Sequence, residues 1–334
     1  MKKKIVHVSF NVSNITDINT SNETLEAEVN IISLWLIPEK ETIELILGNQ
    51  PRPLYMCDDT NYKKIKKHTW ENEIWNPKLY ITNLVKKYHN DKKYKIIREN
   101  GTLYVEETIH INGKFKIKMN LRYFPFDKQL IGFNIESKYP ADKLELKLYM
   151  QKDVNSIETD TDIDPHKLNV LIRHNYSLTE WNIDKYLNIN SYNDEEYKFP
   201  RIRAFINSKR IYKYYIWNII FINSLIQFIA LSSASIDYYK SEDRLNISVM
   251  LLLTNIAFKL ANNNSLPNTS YLTHIDKYQI TAVGFHSLVI LQNVIVKFVN
   301  NIDRFDLWSH LFLLGVYLLT HIIFILRTYF IIRK

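Results

Sequence analysis

The stretch SEDRLNISVMLLLTNIAFKLANN (residues 241–263) poses the question on which the reading of this chain turns. It reaches the roughly 20 residues a helix needs to cross a bilayer and is apolar enough to be buried in one. Yet it opens on Glu242, Asp243 and Arg244 and carries Asn246, Ser248, Thr254, Asn255 and Lys259. Facing lipid, each unpaired charge costs on the order of several kcal/mol. Such a helix therefore either lines a water-filled space or bonds its polar groups to neighbouring helices.

Three more apolar runs of bilayer length surround it: IYKYYIWNIIFINSLIQFIALSSASI (211–236), QITAVGFHSLVILQNVIVKFV (279–299) and LWSHLFLLGVYLLTHIIFILRTYFII (307–332), with the opening stretch spanning about 244–262. Four crossings put both ends on one side. Tyr212, Tyr214, Tyr215 and Trp308 suit the interfacial aromatic belts, and Arg327, Arg333 and Lys334 frame the end of the fourth span. The expectation is an integral protein of the cell membrane with lipid as its surroundings.

The residues before Arg210 have another character, with most of the charge and short alternating segments between turn signals. In TIHINGKFKIKM, Ile109 and Ile111 alternate with polar residues, Asn112-Gly113 signals a type I′ turn, and Phe115, Ile117 and Met119 resume the alternation, which predicts a hairpin. Asn100-Gly101 separates YKIIRE from TLYVEE in the same way, and Leu144, Leu146 and Leu148 share one face. Many strands and no helix predict an all-β, immunoglobulin-like sandwich over residues 1–210, followed by a four-helix membrane domain over 211–334. The single Cys57 excludes an intrachain disulfide. The formal charge of +8 is dispersed among acids, which argues against a nucleic-acid partner. The apolar stretch after MKKK is broken by His7 and followed by a run too polar for a signal-peptide core, so either a signal was removed from this numbering or export uses another route. The histidines lack metal-ligand spacing and no phosphate loop or acid/base pair is assembled, so neither a metal nor another cofactor is expected, nor an enzyme.

Within the β half, Tyr123-Phe124-Pro125-Phe126-Asp127, followed by Gln129, resembles the signature loop of pentameric ligand-gated ion channels, the Cys-loop receptor superfamily. Supporting resemblances follow in order: IWNPKLYITN (74–83) to the family's first binding loop, LTEWNI (178–183) to its late extracellular strand, and SLPNTSYLTHIDKY (265–278) to its link between second and third spans. The two family cysteines fall at Ile117 and Ile131, as in prokaryotic members without the disulfide, so apolar packing is expected to close the loop. Ile222, beside Asn223, replaces the usual first-span proline, which leaves a straighter span open. NNIDRFD between third and fourth spans is too short for a cytoplasmic domain.

The resemblance implies a homopentamer whose N-terminal domain lies outside the cytoplasm and whose second span lines a pore. Aligned on Ala257-Phe258 and Pro267, the inward stripe is Glu242, Asn246, Met250, Leu253, Ala257, Leu260 and Asn264, in steps of three and four that keep one helical face. Glu242 and Asp243 would select cations and Leu253 and Leu260 would gate. Phe124, Pro125, Phe126 and Asp127 of the signature loop, with Arg210 and Pro267, would couple ligand binding to opening. An ordinary exposed Asp127–Arg210 bridge would instead contribute at most about 1 kcal/mol. A small-molecule or ionic ligand is implied between subunits, near Thr82, Lys138, Tyr139, Tyr192, Tyr197 and Phe199, a set that departs from a full aromatic cage for a cation. The alternative is a membrane-anchored ligand-binding sensor or adhesion module of the same fold that does not conduct.

Overall fold

A computed structural model of the chain describes residues 3–36, 75–99, 102–149, 167–171, 178–193, 198–263, 266–267, 269–299 and 302–333. The chain forms two compact units that do not follow chain order. One comprises Met1–Lys118, Leu130–Leu178 and Ile183–Ser208. The other joins Met119–Gln129 and Thr179–Asn182 to Lys209–Lys334.

The strands are β1 (Lys4–Asn19), β2 (Thr24–Leu36), β3 (Leu79–Ile81), β4 (Leu84–Glu99), β5 (Thr102–Lys116), β6 (Lys128–Ser137), β7 (Leu144–Leu148), β8 (Lys167–Leu171), β9 (Trp181–Tyr192) and β10 (Arg201–Arg210). They form two five-stranded sheets, ordered β4-β5-β2-β1-β7 and β3-β6-β10-β9-β8. The predicted β-sandwich is the observed fold. Alternation puts one face of each strand inside: along β6 Ile131, Phe133 and Ile135 are buried, and along β10 Ile202, Ala204 and Ile206. Phe133 of the second sheet meets Phe10 and Phe115 of the first, with ring centroids 5.2 and 4.9 Å away, so aromatic contacts bridge the layers. Leu144 and Leu146 are buried as the alternation of β7 predicts.

Asn112-Gly113 is a correction. It is no turn but lies inside β5, with Asn112 opposite Glu28 and Gly113 opposite Ala27 on β2. On its other side β5 pairs with β4, which is irregular between Leu84 and Lys86 and again between Lys87 and His89. There β4 comes so close that a Cβ on Gly113 would stand 2.6 Å from the Lys86 backbone oxygen and 2.8 Å from Leu84 Cδ1. Glycine is required by backbone approach, not by turn geometry. Asn100 and Gly101 lie outside the described residues, but Glu99 pairs with Thr102 across them, joining β4 to β5 antiparallel as expected.

Among the described residues, four helical segments are long and apolar enough to cross a membrane: Lys213–Ser235, Ser241–Asn262, His274–Phe298 and Asp303–Arg333. They are called the first to fourth spans. The third starts earlier than the apolar run because Thr273 and Asp276 form a capping box, each side chain bonding the other's backbone N–H. The first span is not α-helical throughout. Residues Ile216–Phe221 are π-helical, immediately before Ile222. Ala230, Phe285, Val289 and Leu313 form a buried cluster within the bundle. Trp308, Phe312, Leu319 and Phe330 of the fourth span are exposed, an apolar surface suited to lipid.

Gly113→Ala is expected to lower the stability of the sandwich by about 1–3 kcal/mol, because the opposing atom is backbone and cannot swing aside. Denaturant melts of the purified variant and parent check this; equal midpoints would mean that β4 does not approach as described.

Candidate functional site

The signature loop and the spans belong to the same compact unit. At its centre, Arg210, the last residue of β10, has a side chain that is 0% exposed and meets an Asp127 side chain that is 1% exposed. Arg210 Nε donates to Asp127 Oδ1 at 2.8 Å and Nη2 to Oδ2 at 3.4 Å. The guanidinium carbon lies 4.1 Å from the ring centroid of Trp181 and 4.7 Å from that of Phe124. Two aromatic faces thus take the place of water around a charge that cannot be lost. The Glu180 carboxylate lies 3.7 Å from Nη1. This burial removes the exposed-bridge reading.

The loop then reaches the spans through its own side chains. The Phe124 ring is 4.8 Å from Tyr215, and the Phe126 ring is 5.1 Å from Tyr212 and 5.9 Å from His274. Ile275 N donates to Phe124 O at 3.3 Å, and Leu121 N donates to the Tyr271 hydroxyl at 2.9 Å. Pro125 is buried and Pro267 half-buried, and among the described residues beyond the second span Tyr271, His274 and Ile275 bond or stack on the loop. The base of the loop has a polar closure that the sequence reading did not foresee. Gln129 Nε2 donates to Asn120 O at 2.9 Å while Asn120 N donates to Gln129 Oε1 at 3.1 Å, and Nε2 also reaches Asp127 Oδ2 at 2.6 Å. Ile117 and Ile131 are both buried, so apolar burial and this amide pairing occur together.

The second span has two unlike faces. Arg244, Ser248 and Asn255 are buried, and at about 100° per residue they fall in one narrow sector. Each has a partner on a different span: Asp306 for Arg244, Asn293 for Ser248 at 2.8 Å, and Asn223 for Asn255 at 2.6 Å. Opposite this sector lie Glu242, Asn246, Met250, Leu253, Ala257 and Leu260, all exposed, with Met250, Leu253 and Leu260 at 67%, 61% and 62%. Asp243 is also exposed, whereas Asn264 lies outside the described residues.

The residues expected near a ligand are less concentrated. Thr82 is exposed after β3, its backbone N donating to Asn134 O at 2.8 Å. Lys138 is exposed and Tyr139 half-buried. Backbone bonds from Ser137 N to Pro200 O and from Ala141 N to Lys198 O bring the Lys138–Tyr139 segment alongside Phe199. The Tyr192 hydroxyl accepts from Asn190 Nδ2 at 3.4 Å, and Tyr197 and Cys57 lie outside the described residues. Trp75, within IWNPKLYITN, carries no sequence signal that marks it as a site residue. Its ring lies 5.5 Å from Tyr139 and 6.2 Å from Trp35, with the Lys4 ammonium 4.2 Å from its centroid.

With this geometry in place, comparison with known proteins gives two findings. The family model described as neurotransmitter-gated ion-channel ligand binding domain matches residues 56–212. Gamma-aminobutyric acid receptor subunit rho-2 of Rattus norvegicus is 21% identical over 243 residues, covering 70% of this chain and 48% of that protein. The chain therefore spans about half the length of this curated relative.

Asp127→Asn and Arg210→Gln are each expected to destabilise the folded protein by about 3–5 kcal/mol, since either leaves a charge buried without its partner. The double variant should be less destabilised than the sum of the singles. Thermal melts of the detergent-solubilised proteins check this, and strict additivity would contradict a coupled pair.

Proposed function

We propose that this chain is a pentameric ligand-gated ion channel, a reading that the two matches above support, and that it is the subunit of a homopentamer opened by a small extracellular molecule or ion. In this reading residues 1–210 receive the ligand and residues 211–334 form the membrane channel. The second span surrounds the axis. The observation that carries the reading is the two-faced second span: its buried polar face is bonded to the other three spans, which leaves the stripe from Glu242 to Leu260 for a water-filled lumen.

Along that stripe each residue type has a task. Five copies of Glu242, reinforced by Asp243, concentrate negative potential at the cytoplasmic mouth, where low-dielectric walls focus the field and favour cations. The same two acids complement the positive end of their helix, worth about 0.3–1 kcal/mol, and both roles coexist. Rings of Leu253 and Leu260 meeting at narrow radius expel water and close the path. The ligand-side residues Thr82, Lys138, Tyr139, Tyr192, Tyr197 and Phe199 belong to the receiving site. Phe124, Pro125, Phe126, Asp127, Arg210 and Pro267 transmit its occupation, a role supported by the stacking of Phe124 and Phe126 on residues of the spans.

One observation favours a second reading. Met250 is a long side chain on the stripe, and five copies would narrow the lumen, leaving a membrane-anchored ligand sensor or adhesion module that does not conduct.

Two measurements test the channel reading. Cysteines placed at Asn246, Leu253 or Ala257 should react with water-borne thiol reagents, whereas a cysteine at Leu251, which packs on the bundle core, should not. Uniform reactivity, or none in any state, assigns the axis elsewhere. In a sodium chloride gradient the parent should reverse toward the sodium potential, and a Glu242→Gln, Asp243→Asn double variant should lose that preference. A parent that reverses at the chloride potential removes these acids as the filter, and absence of current under every ligand applied favours the sensor.

A further inference from the structure

Arg244 follows two positions after Glu242, so a basic group stands beside the mouth assigned above to cation selection. A guanidinium does not deprotonate in a protein, and its long stem can carry it toward water. Its charge is removed from the mouth only if something holds it and cancels it. The structure supplies both. Arg244 is 2% exposed. Its Nε donates to Ile236 O at 2.6 Å, and Nη1 and Nη2 donate to Asp306 Oδ1 and Oδ2 at 2.8 Å each. This is the bidentate fork arrangement, which fixes orientation as well as charge.

Asp306 belongs to the fourth span and is itself held. Gln292 Nε2, from the third span, lies 3.1 Å from Asp306 Oδ1 and 2.9 Å from Ser309 Oγ. His310 Nδ1 lies 2.9 Å from the Asp306 backbone oxygen and 3.3 Å from Oδ1. The acid is thus braced by the third span and by its own helix, and it receives the fork of the second.

We propose that Asp306 is a selectivity-determining positioning residue: from a span that does not line the axis, it turns Arg244 away from the mouth and neutralises it, so that Glu242 and Asp243 set the local charge. The inference rests on the channel reading above. Counting Glu242, Asp243, Arg244 and Asp306 together, neutralising Asp306 halves the net negative charge of the group, neutralising Arg244 raises it by half, and neutralising both restores it. A bridge that merely held the helices together would weaken assembly in both single variants alike, without opposite effects on ion preference.

Reversal potentials in a sodium chloride gradient for the parent, Asp306→Asn, Arg244→Gln and the double variant test this, with surface amount measured in parallel. The sodium-to-chloride permeability ratio is expected to fall about threefold or more in Asp306→Asn, from five copies of the lost charge acting across roughly one Debye length. It should be kept or raised in Arg244→Gln and return to the parent's in the double variant. An unchanged ratio in Asp306→Asn, or an equal fall in Arg244→Gln, overturns the proposal while leaving the channel reading intact. If Asp306→Asn does not reach the membrane, loss of cation preference in Arg244→Gln or in the double variant overturns it, and preference retained in both supports it. A parent that reverses at the chloride potential instead overturns the selectivity reading itself, and a parent that passes no current overturns both.

Discussion

A bilayer offers no water to buried polar groups, so pairing them inside the protein is strongly favoured, and this constraint sets the rotation of the second span. Arg244, Ser248 and Asn255 lie on one face and reach Asp306, Asn293 and Asn223, which belong to the fourth, third and first spans. Three bonds to three different helices leave little rotational freedom. Turning the helix by one residue, about 100°, would withdraw all three from their partners at once. The orientation of the opposite face follows from these anchors. Glu242, Asn246, Leu253 and Leu260 are exposed together because the polar residues of the other face are engaged.

The same logic operates where Arg210 meets the signature loop. A buried ion pair is a weak source of stability, because desolvation offsets the attraction, but it tolerates few geometries. Arg210 narrows them further by lying between the rings of Trp181 and Phe124 while its fork meets Asp127. Lysine could supply the charge but neither the planar stack nor the paired bonds. Gln129 then fixes Asp127 from the other side and ties down the base of the loop. Phe124 and Phe126 are held against Tyr215, Tyr212 and His274 by a framework in which each polar group has a defined place.

How far this was legible in the sequence depended on the range of the signal. The four spans were visible because bilayer length is a property of contiguous residues. The sandwich was visible because alternation is local. Asn112-Gly113 shows how a local signal misleads. In a two-residue hairpin residues 111 and 114 face the same way, so the buried set after the turn should shift to 114 and 116. Instead Ile109, Ile111, Phe115 and Ile117 keep one parity straight through the dipeptide and are all buried. The phase was in the sequence and outweighed the turn propensity. Helix geometry likewise separated Arg244 from the face of Glu242, but its partner stood 62 positions away and no local pattern pointed to it. Trp75 likewise met residues far along the chain, Lys4 at 71 positions and Trp35 at 40.

Two of the anchors of the second span also belong to a seven-residue rhythm. Ser248, Asn255 and Asn262 recur at that interval on the second span, and Gln279, His286 and Asn293 recur at it on the third. Seven residues are nearly two turns, so each set keeps one side of its helix. All three on the third span are buried, as are Ser248 and Asn255. Two apolar helices in lipid can slide past one another at small cost, because one aliphatic contact resembles the next. The Ser248–Asn293 bond to the third span, with the Asn255–Asn223 bond to the first, removes that freedom. Sliding the second span by one turn, about 5.4 Å, would part Ser248 from Asn293 and leave both in a dry interior. Three of the polar residues that first made the stretch 241–263 look unsuited to a membrane, Arg244, Ser248 and Asn255, therefore give it a fixed rotation and a fixed height within the bundle.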